Sequence, residues 1–336
     1  MLKPIQNDTA MKKISCLTAL LVTFLIPLGA SAQVGSQKWP NKPVRLVVAY
    51  APGGFTDQSA RLIAIRLSEL WGQAVIVDNR AGASGNIGTQ LVAKAKPDGY
   101  TLLAAFDSNI VINSTLYAGK LNFDPIHDLV PITKVTQVAN AIAVHPSFAP
   151  RTCQEFLTAA RSQKPAFSYA SPGIGTTGHM AAELLQQLAN VSLVSIPYKG
   201  GGQAVIDVIS GQVPMIFTSL PTVRPFAEQG KLRLLAVTSA NRVRGLDVPT
   251  LQECGLAGVD VSSWVGVMAP TGTPSAIITQ IATDVRRAMS GDDTKLQVEK
   301  MGADLILNTP AQFGEQIRSE SERWARVIHL NNVKSN

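Results

Sequence analysis

The sequence predicts an α/β protein of two lobes, each built on a mostly parallel sheet flanked by helices. A chain of 336 residues is longer than one ordinary domain. Apolar strand-like runs alternate with amphipathic helical segments, and this alternation occurs as two successive series. The composition is 46% hydrophobic and 16% charged with 26 glycines, which is typical of globular proteins and excludes disorder, collagen and coiled coil.

The first predicted elements are a buried strand and an amphipathic helix. Residues 44–50 form a nearly continuous apolar run that ends before a Pro-Gly-Gly turn, as in a parallel strand covered on both faces. A helical pattern follows over 56–71, with Thr56 or Asp57 as the candidate N-cap and Gly72 as the terminator.

The same alternation continues to the end of the chain. Further strands are expected at 74–77, 100–106, 142–144, 167–170, 193–196, 215–217, 232–238 and 261–270. Further helices are expected at 89–95, 153–162, 178–189, 203–210, 274–289 and 310–327. The two last helices are expected to add no strand and to return to the first lobe. The predicted lobes are 33–138 plus 262–336, and 139–261; two lobes joined by more than one crossing strand are typical of hinged binding proteins.

Residues 1–32 have the pattern of an export signal. Lys12 and Lys13 precede an apolar stretch, and Ala30-Ser31-Ala32 predicts cleavage after Ala32. About 15 apolar residues fall short of the roughly 20 that span a bilayer. Translation from Met1 or from Met11 is compatible with this signal. We therefore expect the mature chain in the periplasm.

The cysteines leave one question open. Cys16 lies in the predicted signal, so the mature chain retains Cys153 and Cys254. In an oxidising compartment these two could pair, provided that their Cα atoms approach within about 7 Å. The sequence does not decide between a disulfide and two thiols.

Charge and motif content exclude several classes of function. The net charge is +7, but the basic residues are scattered and form no run with interleaved aromatics, so we expect no nucleic-acid partner; a mild positive field favours small anions. The histidines lack metal-ligand spacing, and no hydrolase elbow or P-loop occurs. The segment 173–178 fits Gly-x-Gly-x-x-Gly, yet no ribose-binding acid follows about 20 residues later. We expect no metal and no cofactor.

Four glycine-rich loops follow strands and precede helices, at 51–57, 79–88, 171–179 and 198–203. Ligands bind at the carboxyl ends of parallel strands, where helix N-termini present free N–H groups. Paired N-termini facing each other across a cleft would suit a carboxylate.

The candidate ligand-binding residues lie in these loops and at neighbouring strand ends. Short hydroxyls suit carboxylates, and Phe55 could cover an apolar ligand body. Asp57 could contact the ligand, hold a water or cap the helix. The predicted set is Gly53, Gly54, Phe55, Thr56, Asp57, Ser84, Ser108, Tyr169, Ser171, Thr176, Thr177, Gly178, His179, Thr218 and Ser219.

Several motifs in one order carry a resemblance to a known family. They are YAPGGFTD at 50–57, NRAGASG at 79–85, PDGYTLL at 97–103, YASPGIGT at 169–176, PYKGGG at 197–202 and APTGTP at 269–274. Together with the export signal, they resemble the Bug or TctC-type receptors of tripartite tricarboxylate transporters across the mature chain. Residues 107–109 and Phe55 depart from the family pattern and affect ligand identity.

The resemblance implies a periplasmic two-lobe, Venus-flytrap binding protein. Such a receptor closes on a carboxylate, held by main-chain N–H groups and waters of the loops at 51–57 and 171–179. We expect a monomeric receptor for a small organic acid that serves membrane transporter subunits, without enzymatic activity. The alternatives are a ligand-sensing subunit for a membrane kinase and an exported α/β enzyme acting on a carboxylated substrate.

Overall fold

The apolar run at 44–50 forms the centre of a parallel sheet. In the computed structural model, which describes residues 39–330 and 333–335, β1 (Val44–Val48) pairs in parallel with β2 (Val75–Asn79) and with β3 (Thr101–Phe106). The strand is almost wholly buried, as expected for a strand covered by helices on both faces. The predicted signal, its cleavage site and Cys16 lie outside the described residues.

The longest strand, β4 (Leu129–Val144), joins the two halves of the sheet. Its first part pairs antiparallel with β9 (Ser262–Pro270), and its last residues pair antiparallel with β7 (Met215–Ser219). The sequence predicted only 142–144, because Pro131 and buried polar residues interrupt the apolar pattern further upstream. The crossing strand has 16 residues, more than five times the length of the predicted strand at 142–144.

The second half of the sheet repeats the parallel arrangement. The strand β5 (Phe167–Ser171) pairs in parallel with β6 (Leu193–Pro197) and β7. The main strand order is β2-β1-β3-β9-β4-β7-β5-β6, and β8 (Arg233–Val237) also pairs with β4. The sheet is thus mixed, with parallel ends and an antiparallel centre.

The C-terminal segment contributes one further strand, contrary to expectation. The strand β10 (Ala303–Leu305) pairs antiparallel with β4 at residues 136–138. Three residues are too few to show a periodic pattern, so β10 could not be predicted from periodicity. The indole Nε1 of Trp71 donates to Asp284 at 2.8 Å and so joins the helix at 275–289 to the helix that ends at Trp71.

The helices flank this sheet, and most agree with their predicted positions. In order they are α1 (Phe55–Trp71), α2 (Asn86–Ala93), α3 (Asn113–Leu116), α4 (Cys153–Ser162), α5 (Thr177–Ala189), α6 (Gly201–Ile209), α7 (Leu220–Glu228), α8 (Ser275–Met289), α9 (Asp292–Lys300) and α10 (Pro310–Leu330). Sequence periodicity missed α3, α7 and α9. The helix α3 has only four residues, α7 carries Pro221 in its first turn and Pro225 in its interior, and α9 is largely charged with only Thr294 and Val298 buried.

The ends of α1 show one correct and one wrong expectation. Gly72 ends the helix in the left-handed conformation at φ 63°, as predicted. The N-cap is Gly54 rather than Thr56 or Asp57, so the helix begins one residue earlier than expected. Among the described residues, no helix combines the length and hydropathy that crossing a bilayer requires.

Cys153 and Cys254 form a disulfide, which answers the question that the sequence left open. Their Cα atoms lie 6.1 Å apart, and both residues are buried. The bond ties the first residue of α4 to the segment between β8 and β9, and it closes a loop of 101 residues.

Removal of this disulfide should destabilise the protein. Closing so long a loop restricts the unfolded chain, and a native disulfide typically contributes about 2–4 kcal/mol. The double variant Cys153→Ser/Cys254→Ser should therefore melt several degrees lower in a thermal denaturation experiment. Reductant should lower the midpoint of the unmodified protein and leave that of the variant unchanged; equal midpoints in all four samples would contradict this assignment.

Candidate functional site

Two glycine-rich loops from different parts of the sheet meet backbone to backbone. The N–H of Ala51 donates to the carbonyl oxygen of Lys199 at 3.2 Å. A Cβ atom built on Gly202 would lie only 2.2 Å from the carbonyl oxygen of Pro52. No residue with a side chain fits there without moving backbone, so glycine permits this close contact.

This contact brings three helix N-termini to one cavity. The helices α1, α6 and α7 begin at Phe55, Gly201 and Leu220, and none has a side-chain hydrogen bond at its N-cap. Free N–H groups and the helix dipole give each N-terminus a partial positive charge. The cavity between them has a volume of about 20 Å³, which is enough for about one water molecule.

One wall of the cavity carries hydroxyl groups and backbone. It consists of Gly54, Thr56, Gly201, Thr218, Ser219 and Thr222. The Thr222 Oγ1 atom is buried and has no hydrogen-bond partner within the described part of the chain. No Lys, Arg or His is found among the described residues that line the cavity. The wall therefore offers hydrogen-bond donors without a formal positive charge.

The other wall is mostly apolar. It is formed by Tyr50, Ala51, Phe55, Phe106 and Pro172. The rings of Tyr50 and Phe106 pack edge to face with centroids 5.5 Å apart. The Tyr50 hydroxyl lies 3.0 Å from Ser108 Oγ and 3.3 Å from the carbonyl oxygen of Ser84, and burial raises its pKa, so this phenol stays neutral.

Asp57 lines the cavity, but its carboxylate is already fully engaged in the loop. It accepts hydrogen bonds from the Gly53 N–H at 3.0 Å, Arg61 Nε at 2.9 Å and Asn79 Nδ2 at 3.0 Å. Burial alone would raise its pKa, but these hydrogen bonds from Arg61, Gly53 and Asn79 hold the pKa below its ordinary value. The geometry thus assigns Asp57 to fixing the loop around Gly53.

The loop at 171–179 meets a different set of residues. Thr177 Oγ1 donates to Asp107 Oδ1 at 2.5 Å, and the space beside Gly173 is occupied by Ser84 Oγ. Thr176 caps α5 by accepting from the His179 N–H. Only Pro172 of this loop lines the cavity. The backbone contact in the structure joins 51–54 to 199–202, and the predicted pairing of 51–57 with 171–179 around a ligand stays a prediction.

Other candidates in this region have structural contacts. His179 Nδ1 accepts from the Gly175 N–H at 3.3 Å, and burial lowers its pKa to about 4, so the ring is neutral near pH 7. Tyr169 is fully buried and donates to Glu183 Oε1 at 3.4 Å. A Cβ on Gly178 would lie 2.3 Å from the carbonyl oxygen of Phe217, so this glycine allows α5 to pack on β7.

The sequence-predicted residues thus fall into three groups. The cavity brings together Gly54, Phe55, Thr56, Asp57, Thr218 and Ser219. Gly53 lies just behind Gly54, and Ser84 and Ser108 hold the Tyr50 hydroxyl. Away from the cavity lining lie Tyr169, Ser171, Thr176, Thr177, Gly178 and His179.

Sequence reasoning did not select Tyr50, Phe106, Gly201 or Thr222. Gly201 belongs to one of the four glycine-rich loops, and Tyr50 and Phe106 are the last residues of predicted strands. The position at a strand end could therefore have indicated these residues as cavity lining. Thr222 lies in a helix that its prolines concealed.

Asp107 is a buried carboxyl group beside this site. It accepts from Thr177 Oγ1 and from the Ser108 N–H at 2.6 Å. Burial, with a smaller contribution from the Glu320 carboxylate, raises its pKa to about 8 against the lowering effect of the hydrogen bonds from Thr177 and Ser108. Asp107 is thus largely protonated below neutral pH.

The fold and the cavity define a solute-binding protein. The sequence matches the family described as the tripartite tricarboxylate transporter family receptor (TctC) over residues 59–333, and the chain belongs to this family.

Solved structures agree with this assignment. The periplasmic binding protein BugD is 30% identical, with a TM-score of 0.84 over 89% of this chain and 100% of that chain. An R. palustris protein with adipate is 34% identical (TM-score 0.85, 88% and 99%). MatC from Rhodopseudomonas palustris, with bound malate, is 29% identical (TM-score 0.82, 86% and 99%). The predicted two-lobe binding-protein fold is confirmed.

The raised pKa of Asp107 predicts a specific pH dependence of stability. An unfolded aspartate titrates near 3.9, so the folded-state group contributes stability that is present below about pH 4 and lost as the pH rises through about 8. Asp107→Asn should therefore lose less unfolding free energy between about pH 5 and pH 8 than the unmodified protein, measured by urea denaturation.

A matched variant separates this effect from a general change of charge. Asp304→Asn removes an exposed carboxyl group on β10 and should leave the pH profile of stability unchanged. Parallel profiles for the unmodified protein and Asp107→Asn would refute the assignment.

Proposed function

We propose that this protein is a periplasmic receptor that captures a small organic carboxylate in the cavity where α1, α6 and α7 begin. It then delivers the acid to a membrane transporter of the tripartite tricarboxylate type. The observation that carries this proposal is the meeting of three side-chain-uncapped helix N-termini at a hydroxyl-lined cavity. This arrangement suits an anion with several acceptor atoms.

The proposed mechanism binds the carboxylate without a cationic side chain. The N–H groups at the start of α1 and α6 and the hydroxyls of Thr218, Ser219 and Thr222 surround one small volume. Each neutral donor contributes modestly, and hydrogen bonds to a charged acceptor are stronger than neutral ones. Many such donors give binding that is specific and still reversible, as delivery to a transporter requires.

Entry of a ligand requires the cavity to open. A cavity of about 20 Å³ is far smaller than the roughly 300–1,000 Å³ of typical ligand pockets. The lining residues 50, 51, 54–57 and 106 belong to one proposed lobe, 33–138 plus 262–336, and the lining residues 172, 201, 218, 219 and 222 belong to the other, 139–261. The two lobes would hinge where β4 and the start of β9 cross between them.

A binding role is supported over a catalytic one. Among the described residues that line the cavity, Asp57 has the only carboxyl group. Its oxygens already accept hydrogen bonds from Gly53, Arg61 and Asn79. No free base therefore lies beside a hydroxyl of the cavity.

The adipate and malate held by the two relatives support a carboxylate ligand, and the predicted signal at 1–32 with cleavage after Ala32 supports the periplasmic location. We propose a monomer.

Ligand-induced stabilisation tests the proposed function directly. A ligand at about 100 times its dissociation constant adds roughly 2.7 kcal/mol, which should raise the melting midpoint of the chain from Gln33 by several degrees. The panel contains mono-, di- and tricarboxylates, amino acids and NAD, with affinities confirmed by calorimetry. A shift with carboxylates is expected; no shift with any acid, or a shift with NAD alone, would overturn the proposal.

A single methyl group at Gly202 should impair closure of the site. In Gly202→Ala the new Cβ would meet the Pro52 carbonyl, so the loops at 51–54 and 199–202 could not approach. We expect about a ten-fold or greater loss of affinity for the best acid, measured by calorimetry.

The matched control is Gly291→Ala, where a Cβ atom meets no neighbour within 4 Å. Its affinity should equal that of the unmodified protein. Unchanged affinity in Gly202→Ala would show that contact between these loops is not needed for binding.

A further inference from the structure

The side chains of the apolar wall leave no hydrogen-bond donor free for a ligand. The Tyr50 hydroxyl is held by Ser108 and by the Ser84 carbonyl, and its ring packs on Phe106. Phe55, Phe106 and Pro172 offer only carbon surface from their side chains. A hydroxyl or amino group placed against this wall would lose its hydrogen bonds to water and find no replacement.

The single carboxylate of the lining does not change this conclusion. Asp57 accepts three hydrogen bonds, and Arg61 balances its charge in an ion pair of 2.9 Å. An ammonium group of an amino acid would therefore meet a carboxylate that is already neutralised. The lining favours a ligand body without an amino group.

The opposite wall contains one polar group that is buried and unsatisfied. Thr222 is 2% exposed, and its Oγ1 has no partner among the described residues. The side chain lies at the third residue of α7, next to the N-terminus of α6: a Cβ on Gly201 would lie 3.5 Å from this oxygen and 2.8 Å from Thr218 Oγ1. A buried hydroxyl without a partner costs stability, so Thr222 Oγ1 has a hydrogen bond free for a ligand acceptor.

We infer that the site takes a carboxylate with an unsubstituted hydrocarbon body, whose carboxylate accepts a hydrogen bond from Thr222 Oγ1. The carboxylate lies at the helix N-termini beside Thr218 and Thr222. The hydrocarbon body lies against Phe55, Phe106 and the ring of Tyr50. This inference rests on the proposed function and narrows its ligand class.

The first test uses pairs of acids that differ by one group. They are succinate against malate, 3-phenylpropionate against 3-phenyllactate, and 3-phenylpropionate against phenylalanine, each measured by calorimetry with the protein from Gln33. An apolar wall rejects an added hydroxyl by up to about 100-fold, so the unsubstituted acid of a pair should bind about 10- to 100-fold more tightly.

The second test removes the Thr222 hydroxyl without changing the shape of the side chain. Thr222→Val should weaken binding of the best acid by about ten-fold or more, because a hydrogen bond to a charged group is lost. Its melting midpoint without added acid should be unchanged or higher, because an unsatisfied buried hydroxyl is removed. Thr222→Ser should retain most of the affinity.

Thr283→Val is the matched control. Thr283 is exposed on α8 and its hydroxyl donates to the Thr279 carbonyl, away from the cavity. Its affinity should equal that of the unmodified protein. This control separates the loss of the Thr222 contact from any general effect of a threonine-to-valine change.

The outcomes distinguish this inference from the function on which it rests. Binding of no carboxylate at all would overturn the proposed function and the inference with it. Tighter or equal binding of malate, 3-phenyllactate and phenylalanine would overturn the inference and leave a carboxylate receptor. Full affinity in Thr222→Val would remove Thr222 from the ligand contacts.

Discussion

The backbone contact between the loops at 51–54 and 199–202 is the constraint on which the site depends. Only glycine at 202 allows the Pro52 carbonyl to come so close, and this approach places the N-termini of α1 and α6 side by side. The start of α7 completes the group because β7 runs parallel to β5 and β6, so that α6 and α7 begin at the same ends of these strands. Three partial positive charges and a set of hydroxyls then surround the cavity. No cationic side chain lies among the described residues that line it.

Sequence patterns predicted the elements whose packing is regular. Buried parallel strands such as 44–50 and an amphipathic helix such as 153–162 follow directly from apolar periodicity. Apolar periodicity did not reveal the full length of β4, because this strand passes from one half of the sheet to the other and carries buried polar residues. One of them is Lys134, whose ammonium group donates to Gln137 and Gln316. Tertiary hydrogen bonds of this kind satisfy polar groups that a sequence-based argument assigns to the surface. The lobe boundaries stay a prediction.

The site was partly predictable, because ligand loops occur at strand ends in every parallel α/β sheet. Which loops face each other depends on strand order and on contacts far apart in sequence. The sequence marked 51–57 and 171–179 as facing loops. In the structure the loop at 51–57 lines the cavity and contacts 199–202, and residues of 171–179 lie against Ser84 and Asp107. Phe55 is 3% exposed and belongs to both the core and the cavity lining. Thr222 was hidden because prolines obscured the periodicity of its helix.

Carboxylate binding at the N-termini of α1 and α6 is tested most directly by a nuclear magnetic resonance titration of the backbone amides with the best-binding carboxylate. If the acid binds at the converging N-termini, the amide signals of Gly54, Phe55, Thr56, Gly201 and Gly202 should shift together and saturate at one dissociation constant. Those of Gly291 and other remote glycines should not move. Saturating shifts confined to another part of the chain, with these five amides unchanged, would contradict the account.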